Sequence, residues 1–168
     1  MYYYIKRMSE IKTRRCASGL VIEMFFARIT NKFYRNGSNT LNYYFDDHFY
    51  YLKSYGEVIA IIQDENVEGE ECSNIDLIAN NEEFVIHLFD KSAKGGNYFS
   101  QTTSKHIGLV KNWIKENSLT YLYYKYDNTG ELQHPKLYLE SEIDYSDEND
   151  NMDVFIIDNF HFINNLQK

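Results

Sequence analysis

Short apolar runs separated by turn signals dominate the chain from Leu41 onward. Three of them follow one another, "LNYYF", "HFYYLKS" and "EVIAIIQ", each five to seven residues long and rich in β-formers. Asp46-Asp47 separates the first two runs, and Tyr55-Gly56 separates the second from the third. Because a two-residue loop that contains Gly is typical of hairpins, the pattern predicts consecutive antiparallel strands here.

Further strand pairs follow along the chain. The runs "IDLIA" and "FVIHLFD" flank "NNEE", and "LTYLYYKY" and "LQHPKLYLE" flank "DNTGE". Pro135 places the second strand of the latter pair at a strand start or at an edge, since proline cannot donate to a ladder. A last strand is predicted at "DVFIID", whereas the first fifteen residues fit either a short strand, "YYYIK", or a basic arm.

Two intervals have the spacing of helices. The first runs from Ser18 to Arg35, with Ser18 as the N-cap and "RNGSN" at 35–39 as the stop, although its β-forming residues also fit a hairpin. Its apolar residues recur at every fourth position: Val21, Phe25, Ile29 and Phe33. The second runs from Ser104 to Asn117, with Thr103 or Ser104 as its cap. Its apolar face comprises Ile107, Val110, Trp113 and Ile114.

These elements predict an α+β fold. We expect a largely antiparallel sheet of about seven or eight strands built from hairpins, with two helices packed on it. At 168 residues, with 43% hydrophobic residues and no linker-like stretch, the chain is expected to form one globular domain over 1–168.

The net charge of −8 is unevenly distributed. Residues 1–36 hold eight Lys and Arg against two Glu, whereas the remainder is strongly acidic. Ten acids and no Lys or Arg occur between Ser54 and Asp90, and seven acids with no Lys or Arg occur between Glu142 and Phe160. An acidic majority repels nucleic acid and attracts basic proteins at long range, so direct nucleic-acid binding is not expected.

A cytoplasmic location is expected from the cysteines and from the absence of targeting signals. The sequence shows no signal-peptide pattern and no apolar run near the roughly 20 residues needed to span a bilayer. Cys16 and Cys72 belong to no paired motif, which fits free thiols in a reducing compartment, although one bridge between them would also satisfy the count. Arg14 and Arg15 are expected to lower the pKa of the Cys16 thiol.

Catalytic and metal motifs find little support in the sequence. The five histidines never occur at the short spacings of zinc sites, and an alignment of a calcium loop on Asp147 puts Met152 where Gly belongs. No cofactor or metal is therefore expected. The alternative hypothesis of a small hydrolase would assemble its site from dispersed residues: Asp46, His48, His87 and His161.

The leading hypothesis is a non-catalytic acidic protein that binds and neutralises a basic partner enzyme, with a toxin nuclease as the expected partner. Adjacent tyrosines on strands point to opposite faces, so several of the 16 tyrosines should be exposed as contact anchors. Carboxylates around them would steer a cationic partner. The expected partner-binding residues are Asp144, Tyr145, Asp147, Glu148, Asp150 and Asp153, with Glu68, Glu70 and Glu71 as a second acidic edge.

Small acidic immunity proteins share this general charge character. So do viral anti-defence inhibitors, which give an alternative identity for the same mode of action. The resemblance is one of type and rests on no quoted motif.

Overall fold

The computed structural model describes residues 11–46, 49–64, 84–91, 100–126, 131, 136–138 and 164–166. Within these ranges, eight strands form one sheet in the order β1 to β8, so that each strand lies beside its neighbour in the chain. The strands are β1 (Thr13–Cys16), β2 (Phe33–Asn36), β3 (Leu41–Phe45), β4 (Phe49–Ser54), β5 (Glu57–Asp64), β6 (Phe84–Phe89), β7 (Tyr121–Tyr124) and β8 (Lys136–Tyr138). The helices are α1 (Ser18–Ala27) and α2 (Gln101–Glu116), and 164–166 form one more helical turn.

The α+β class is confirmed, but the sheet is mixed rather than built from hairpins throughout. β1 pairs with β2 in parallel, as β6 does with β7, and the five other pairings within the described residues are antiparallel. Each parallel pair is joined through a helix, α1 in the first case and α2 in the second. A parallel pair requires such a crossover, because a tight turn reverses the chain direction.

The first helix is shorter than the predicted span of Ser18 to Arg35. It ends at Ala27, and the next residue, Arg28, adopts a left-handed conformation with φ of 53°. The backbone N–H of Arg28 donates to the carbonyls of Met24 and Phe25 in the last turn. Phe33, Tyr34 and Arg35, expected to be helical, belong to strand β2. The four-residue spacing predicted a longer helix because Ile29 and Phe33 also pack against the core. They do so from a loop and from a strand rather than from the helix.

The "RNGSN" stretch therefore does not end a helix. It forms the turn between β2 and β3, which is organised by the buried side chain of Asn36. Asn36 Oδ1 accepts hydrogen bonds from the backbone N–H groups of Thr40 (2.8 Å) and Leu41 (3.1 Å). Its Nδ2 donates to Ser18 Oγ at 3.2 Å, so the residue expected to be the N-cap instead ties the start of α1 to this turn. The N-cap position belongs to Ala17.

The second helix was predicted well. α2 begins three residues earlier than expected, because Ser100 is the N-cap and its side chain accepts a hydrogen bond from Thr103 N–H. The predicted apolar face is confirmed: Ile107, Val110 and Ile114 are buried. Trp113 is partly buried and stacks on Phe26 of α1, with ring centroids 5.5 Å apart and an interplanar angle of 9°.

Both helices pack on one face of the sheet and share one apolar cluster with it. The opposite face carries a second buried cluster, to which Leu166 contributes from the last helical turn. That second cluster comprises Phe49, Tyr51, Val58, Ile61, Val85, Phe89, Leu122 and Tyr124. The central strands are therefore buried on both sides. No helix within the described ranges is long and apolar enough to cross a membrane.

The first strand of the sheet is basic and exposed. Thr13, Arg14 and Arg15 are exposed, and Arg15 lies directly opposite Arg35 in the β1–β2 register. Among the described residues, neither arginine forms an ion pair with a carboxylate, whereas Lys91 does so with Glu57. Cys16, at the end of β1, is a free thiol, and Cys72 lies outside the described residues. Burial raises the pKa of this thiol and outweighs the opposing effect of Arg14, which corrects the expected direction.

The hairpin between β4 and β5 gives a test of backbone conformation. Tyr55 and Gly56 both have positive φ (52° and 80°), the pattern of the two-residue type I′ turn. A Cβ added at Gly56 would meet nothing within 4 Å, so a substitution there changes conformational preference without a clash. We expect Gly56→Ala to lower the free energy of unfolding by about 1–2 kcal/mol in urea denaturation followed by circular dichroism.

Gly108 provides the matched control. It lies inside α2, its added Cβ would also meet nothing within 4 Å, and its φ is not positive. Gly108→Ala should raise the free energy of unfolding by about 1 kcal/mol, since alanine is the better helix former. Equal shifts of the same sign for the two variants would contradict the assigned turn.

Candidate functional site

Both strongly acidic stretches of the chain start from one end of the sheet. Asp64, the last residue of β5, pairs with Phe84, the first residue of β6, so the acidic segment 65–83 leaves and rejoins the sheet at the same end. Tyr138, the last residue of β8, pairs with Tyr121 at the start of β7. Because β6 and β7 are parallel, Tyr138 marks the same end as Phe84. We call this edge, marked by Asp64, Phe84 and Tyr138, the acidic-segment end.

The attachment points of the two segments lie on nearby strands. Phe84 is on β6 and Tyr138 is on β8, which flank β7, and neighbouring strands lie roughly 4.8 Å apart, so these two strands are about 10 Å apart. Asp64 on β5 is one strand spacing further away. The segments 65–83 and 139–163 are therefore tethered next to each other. This proximity could not be derived from the sequence, because it depends on the parallel pairing of β6 with β7.

The predicted partner-binding residues all lie outside the described residues. They are Glu68, Glu70, Glu71, Asp144, Tyr145, Asp147, Glu148, Asp150 and Asp153. Their points of attachment are described, whereas their own positions are not. The assignment of these residues to a partner therefore stays a prediction.

Two of the four residues of the hydrolase hypothesis are described, and both have structural contacts. Asp46 follows β3, where its carboxylate accepts hydrogen bonds from Tyr51 Oη (2.9 Å) and the backbone N–H of Phe49 (3.1 Å). It thus holds the turn between β3 and β4. Burial, and secondly the Asp46 charge, raise the pKa of the Tyr51 hydroxyl, so this group remains a neutral donor. His48 and His161 lie outside the described residues.

His87 is fully buried at the centre of the sheet, in the second apolar cluster. Its Nδ1 lies 2.7 Å from Tyr124 Oη, and its Nε2 lies 3.0 Å from Gln63 Oε1. Because the Gln63 oxygen can only accept, Nε2 carries the proton, and Nδ1 accepts from Tyr124. Burial lowers the pKa of His87 to about 3, so the ring is neutral at physiological pH.

A second buried polar cluster lies on the helix-facing side. Ser54 Oγ is 2.7 Å from His106 Nδ1 and 2.9 Å from Thr103 Oγ1, and all three side chains are buried. A serine beside a histidine is a common catalytic pair, but Ser54 is 0% exposed and no substrate can reach its hydroxyl here. The cluster joins the first turn of α2 to the end of β4. Sequence analysis missed it because its members are about 50 residues apart.

The buried side chain of Lys91 forms an ion pair with the exposed side chain of Glu57. Lys91 follows β6 and is 2% exposed, with its Nζ 3.3 Å from Glu57 Oε2 at the start of β5. Burial lowers the pKa of Lys91, while Glu57 opposes that shift and favours the charged form. The pair fastens the chain after β6 to the β4–β5 hairpin. Within the described ranges, no group of His, Cys, Asp or Glu side chains is arranged to hold a metal ion.

An aromatic cleft lies at the acidic-segment end, between the last turns of the two helices. It encloses about 310 Å³ and is lined by Glu23, Phe26, Ala27, Phe84, Trp113, Asn117 and Leu119. Comparisons with known proteins found that no family model, no curated protein and no solved structure matches this chain.

The neutral state of His87 predicts how stability changes with pH. Above the ordinary histidine pKa of 6.5, the ring is neutral in both folded and unfolded chains, so this group adds no pH dependence. Below 6.5 the unfolded chain gains a proton that the folded chain does not take up until about pH 3. The free energy of unfolding should therefore fall by up to about 1.4 kcal/mol per pH unit as pH drops from 6 to 4.

For His87→Gln, the free energy of unfolding should fall less steeply over the same pH interval. At pH 7 it should already be about 1–3 kcal/mol lower than that of wild type, because Tyr124 and Gln63 lose a well-placed hydrogen-bond partner. Burial also lowers the pKa of His106, so this residue should still contribute part of the decrease in the free energy of unfolding with falling pH in the variant. Imidazole ¹⁵N chemical shifts give an independent measurement. A protonated His87 in the folded protein at pH 5.5 would contradict the assigned network.

Proposed function

We propose that this protein is a non-catalytic acidic inhibitor that binds and neutralises a basic partner enzyme in the cytoplasm. The partner class that best fits is a toxin nuclease, whose active site must be cationic to hold phosphates. In this role the protein acts as an immunity or antitoxin type of inhibitor. The free thiol of Cys16 supports a reducing location.

The observation that carries the proposal is the division of charge between the framework and the segments attached to it. The described residues hold thirteen Lys and Arg against seven Asp and Glu, a net charge of +6. The protein's negative charge therefore comes from the remaining residues, chiefly 65–83 with seven acids and 139–163 with eight, neither containing Lys or Arg. Acids that served only solubility would be expected over the whole surface.

The tethering of the two acidic segments supports the same proposal. Both segments are attached at the acidic-segment end, and their nearest attachment points, Phe84 and Tyr138, lie on strands roughly 10 Å apart. Clustered like charge steers an oppositely charged protein and raises its association rate. It also repels acidic competitors, which gives selectivity at the same surface.

The histidine positions favour a binding role over the hydrolase alternative. A hydrolase site needs titratable groups that converge on an accessible cleft. His87 and His106 are instead buried on opposite sides of the sheet, and each is held by hydrogen bonds to neutral partners. Neither lines the aromatic cleft.

The proposal is tested by removing charge without removing bulk. A variant in which Asp144, Asp147, Asp150 and Asp153 become Asn and Glu148 becomes Gln keeps side-chain volume and loses five negative charges. A basic enzyme captured from the source cells at low salt is first purified and assayed with wild-type protein. We expect wild-type protein to abolish its activity, and the variant to associate at least tenfold more slowly, with a weaker dependence on salt.

The second acidic edge is tested in parallel with Glu68→Gln, Glu70→Gln and Glu71→Gln. A control variant, Glu116→Gln with Glu131→Gln, removes charge from exposed framework positions and should leave the association rate within about twofold. A captured enzyme that keeps full activity in the complex would refute the inhibitor function. Unchanged association by both acidic-segment variants would refute the role given to those residues.

A further inference from the structure

The aromatic cleft at the acidic-segment end is a concavity formed by described residues alone. Its floor and walls come from both helices and from the start of β6: Phe26 and Ala27 of α1, Trp113 of α2, and Phe84. Leu119, after α2, completes the apolar lining, and Glu23 and Asn117 are its polar members. An apolar pocket with a few polar groups is the usual form of a binding site.

The cleft is lined with aromatic rings suited to a flat cation. Phe26 and Trp113 lie nearly parallel, with an interplanar angle of 9°, and both border the cleft. Phe84 is the third aromatic ring of the lining, and it already stacks with a guanidinium of this chain, because Arg28 Cζ lies 4.1 Å above its centroid. Arginine stacks on aromatic faces in this way because the ring quadrupole attracts positive charge, and tryptophan attracts it best.

The charged and dipolar groups that line the cleft also favour a cation. Ala27 and Asn117 lie at the C-terminal ends of α1 and α2, which are the negative ends of the helix dipoles. Glu23 adds a full negative charge from an exposed position on the cleft. Two cations lie nearby, Arg28 over Phe84 and Lys115 in the last turn of α2, and neither lines the cleft.

We propose that this cleft receives an arginine side chain of a basic protein partner, with the guanidinium against Trp113 and Phe26 and in reach of the Glu23 carboxylate. The inference rests on the proposed function and deepens it, because it names the contact that anchors the partner after its charge has brought it to the acidic-segment end. Anchors of this kind, an arginine in an aromatic pocket, dominate many protein interfaces. The acidic segments are not part of this site.

Trp113 is the only tryptophan of the chain, so its fluorescence reports on the cleft directly. Titration with a hexa-arginine peptide at low salt should change the Trp113 emission saturably, whereas hexa-glutamate should not. We expect Glu23→Gln to weaken hexa-arginine binding about fivefold, and Trp113→Leu, measured by anisotropy of a labelled peptide, to weaken it by a similar factor. Trp113→Phe, which keeps an aromatic face, should stay within about twofold of wild type.

Glu116→Gln is the matched charge control. Glu116 is exposed in the last turn of α2 and does not line the cleft, so its substitution changes the net charge as Glu23→Gln does. It should alter hexa-arginine affinity by less than twofold. Equal losses for Glu23→Gln and Glu116→Gln, or peptide binding that leaves Trp113 emission unchanged, would overturn the cleft assignment in favour of diffuse attraction. Circular dichroism confirms that each variant is folded.

The captured basic enzyme separates this inference from the function it rests on. If Glu23→Gln and Trp113→Leu neutralise the enzyme as wild-type protein does, the arginine cleft is refuted and the inhibitor function stands. If hexa-arginine binds in the cleft with the expected variant pattern but the bound basic enzyme keeps its activity, the inhibitor function fails and the arginine site stands. A weakened enzyme complex for both cleft variants, with Glu116→Gln unchanged, supports the inference.

Discussion

Burial of the central strands on both faces is the constraint on which the rest of this structure depends. Helices α1 and α2 cover one face, and a second apolar cluster occupies the other. Polar side chains in such a layer lose their water and must find partners inside the protein. His87 with Gln63 and Tyr124, and His106 with Ser54 and Thr103, meet this requirement, and within the described residues no buried side-chain nitrogen or oxygen lacks a hydrogen-bond partner.

Because of this constraint, the polar groups inside the sheet are occupied by internal hydrogen bonds, and accessible binding groups are found at the end of the sheet. Asp46 and His87, the two described residues of the hydrolase hypothesis, form hydrogen bonds within the protein, and burial lowers the pKa of His87 and of His106. The positions left for recognition are those where strands and helices terminate. At the acidic-segment end, two helix C-termini, an aromatic cleft and the attachment points of both acidic segments occur together. These features lie at one end of the sheet, although they are widely separated in sequence.

Local patterns predicted the local elements correctly, and they failed where pairing over distance decided the outcome. The Tyr55-Gly56 hairpin and the apolar face of α2 follow from turn chemistry and helical spacing, and both are confirmed. Strand β2 was missed because apolar residues at every fourth position from Val21 to Phe33 are typical of one helix. Here the same spacing comes from a helix, a loop and a strand that pack on one core.

The parallel pairings were missed for a related reason. A helix between two strands predicts a crossover, and a crossover predicts parallel neighbours, but the prediction weighed hairpins alone. The site depends on these pairings, since the parallel alignment of β6 and β7 brings Phe84 and Tyr138 to one end. Sequence composition indicated how much negative charge exists and where it lies along the chain. It could not indicate that both acidic stretches are tethered side by side.

The like-charged pair of Arg15 and Arg35 on the first two strands has a consequence for the behaviour of the protein in concentrated solution. An outer strand with unsatisfied backbone groups is a template for adding a strand from another molecule. Within the described residues β1 is the outer strand, and it places Arg15 beside Arg35 in the register of the sheet. A second copy that approached β1 with its own β1 would bring the same two positive charges close to these, and the repulsion would disfavour growth of an extended sheet through this strand.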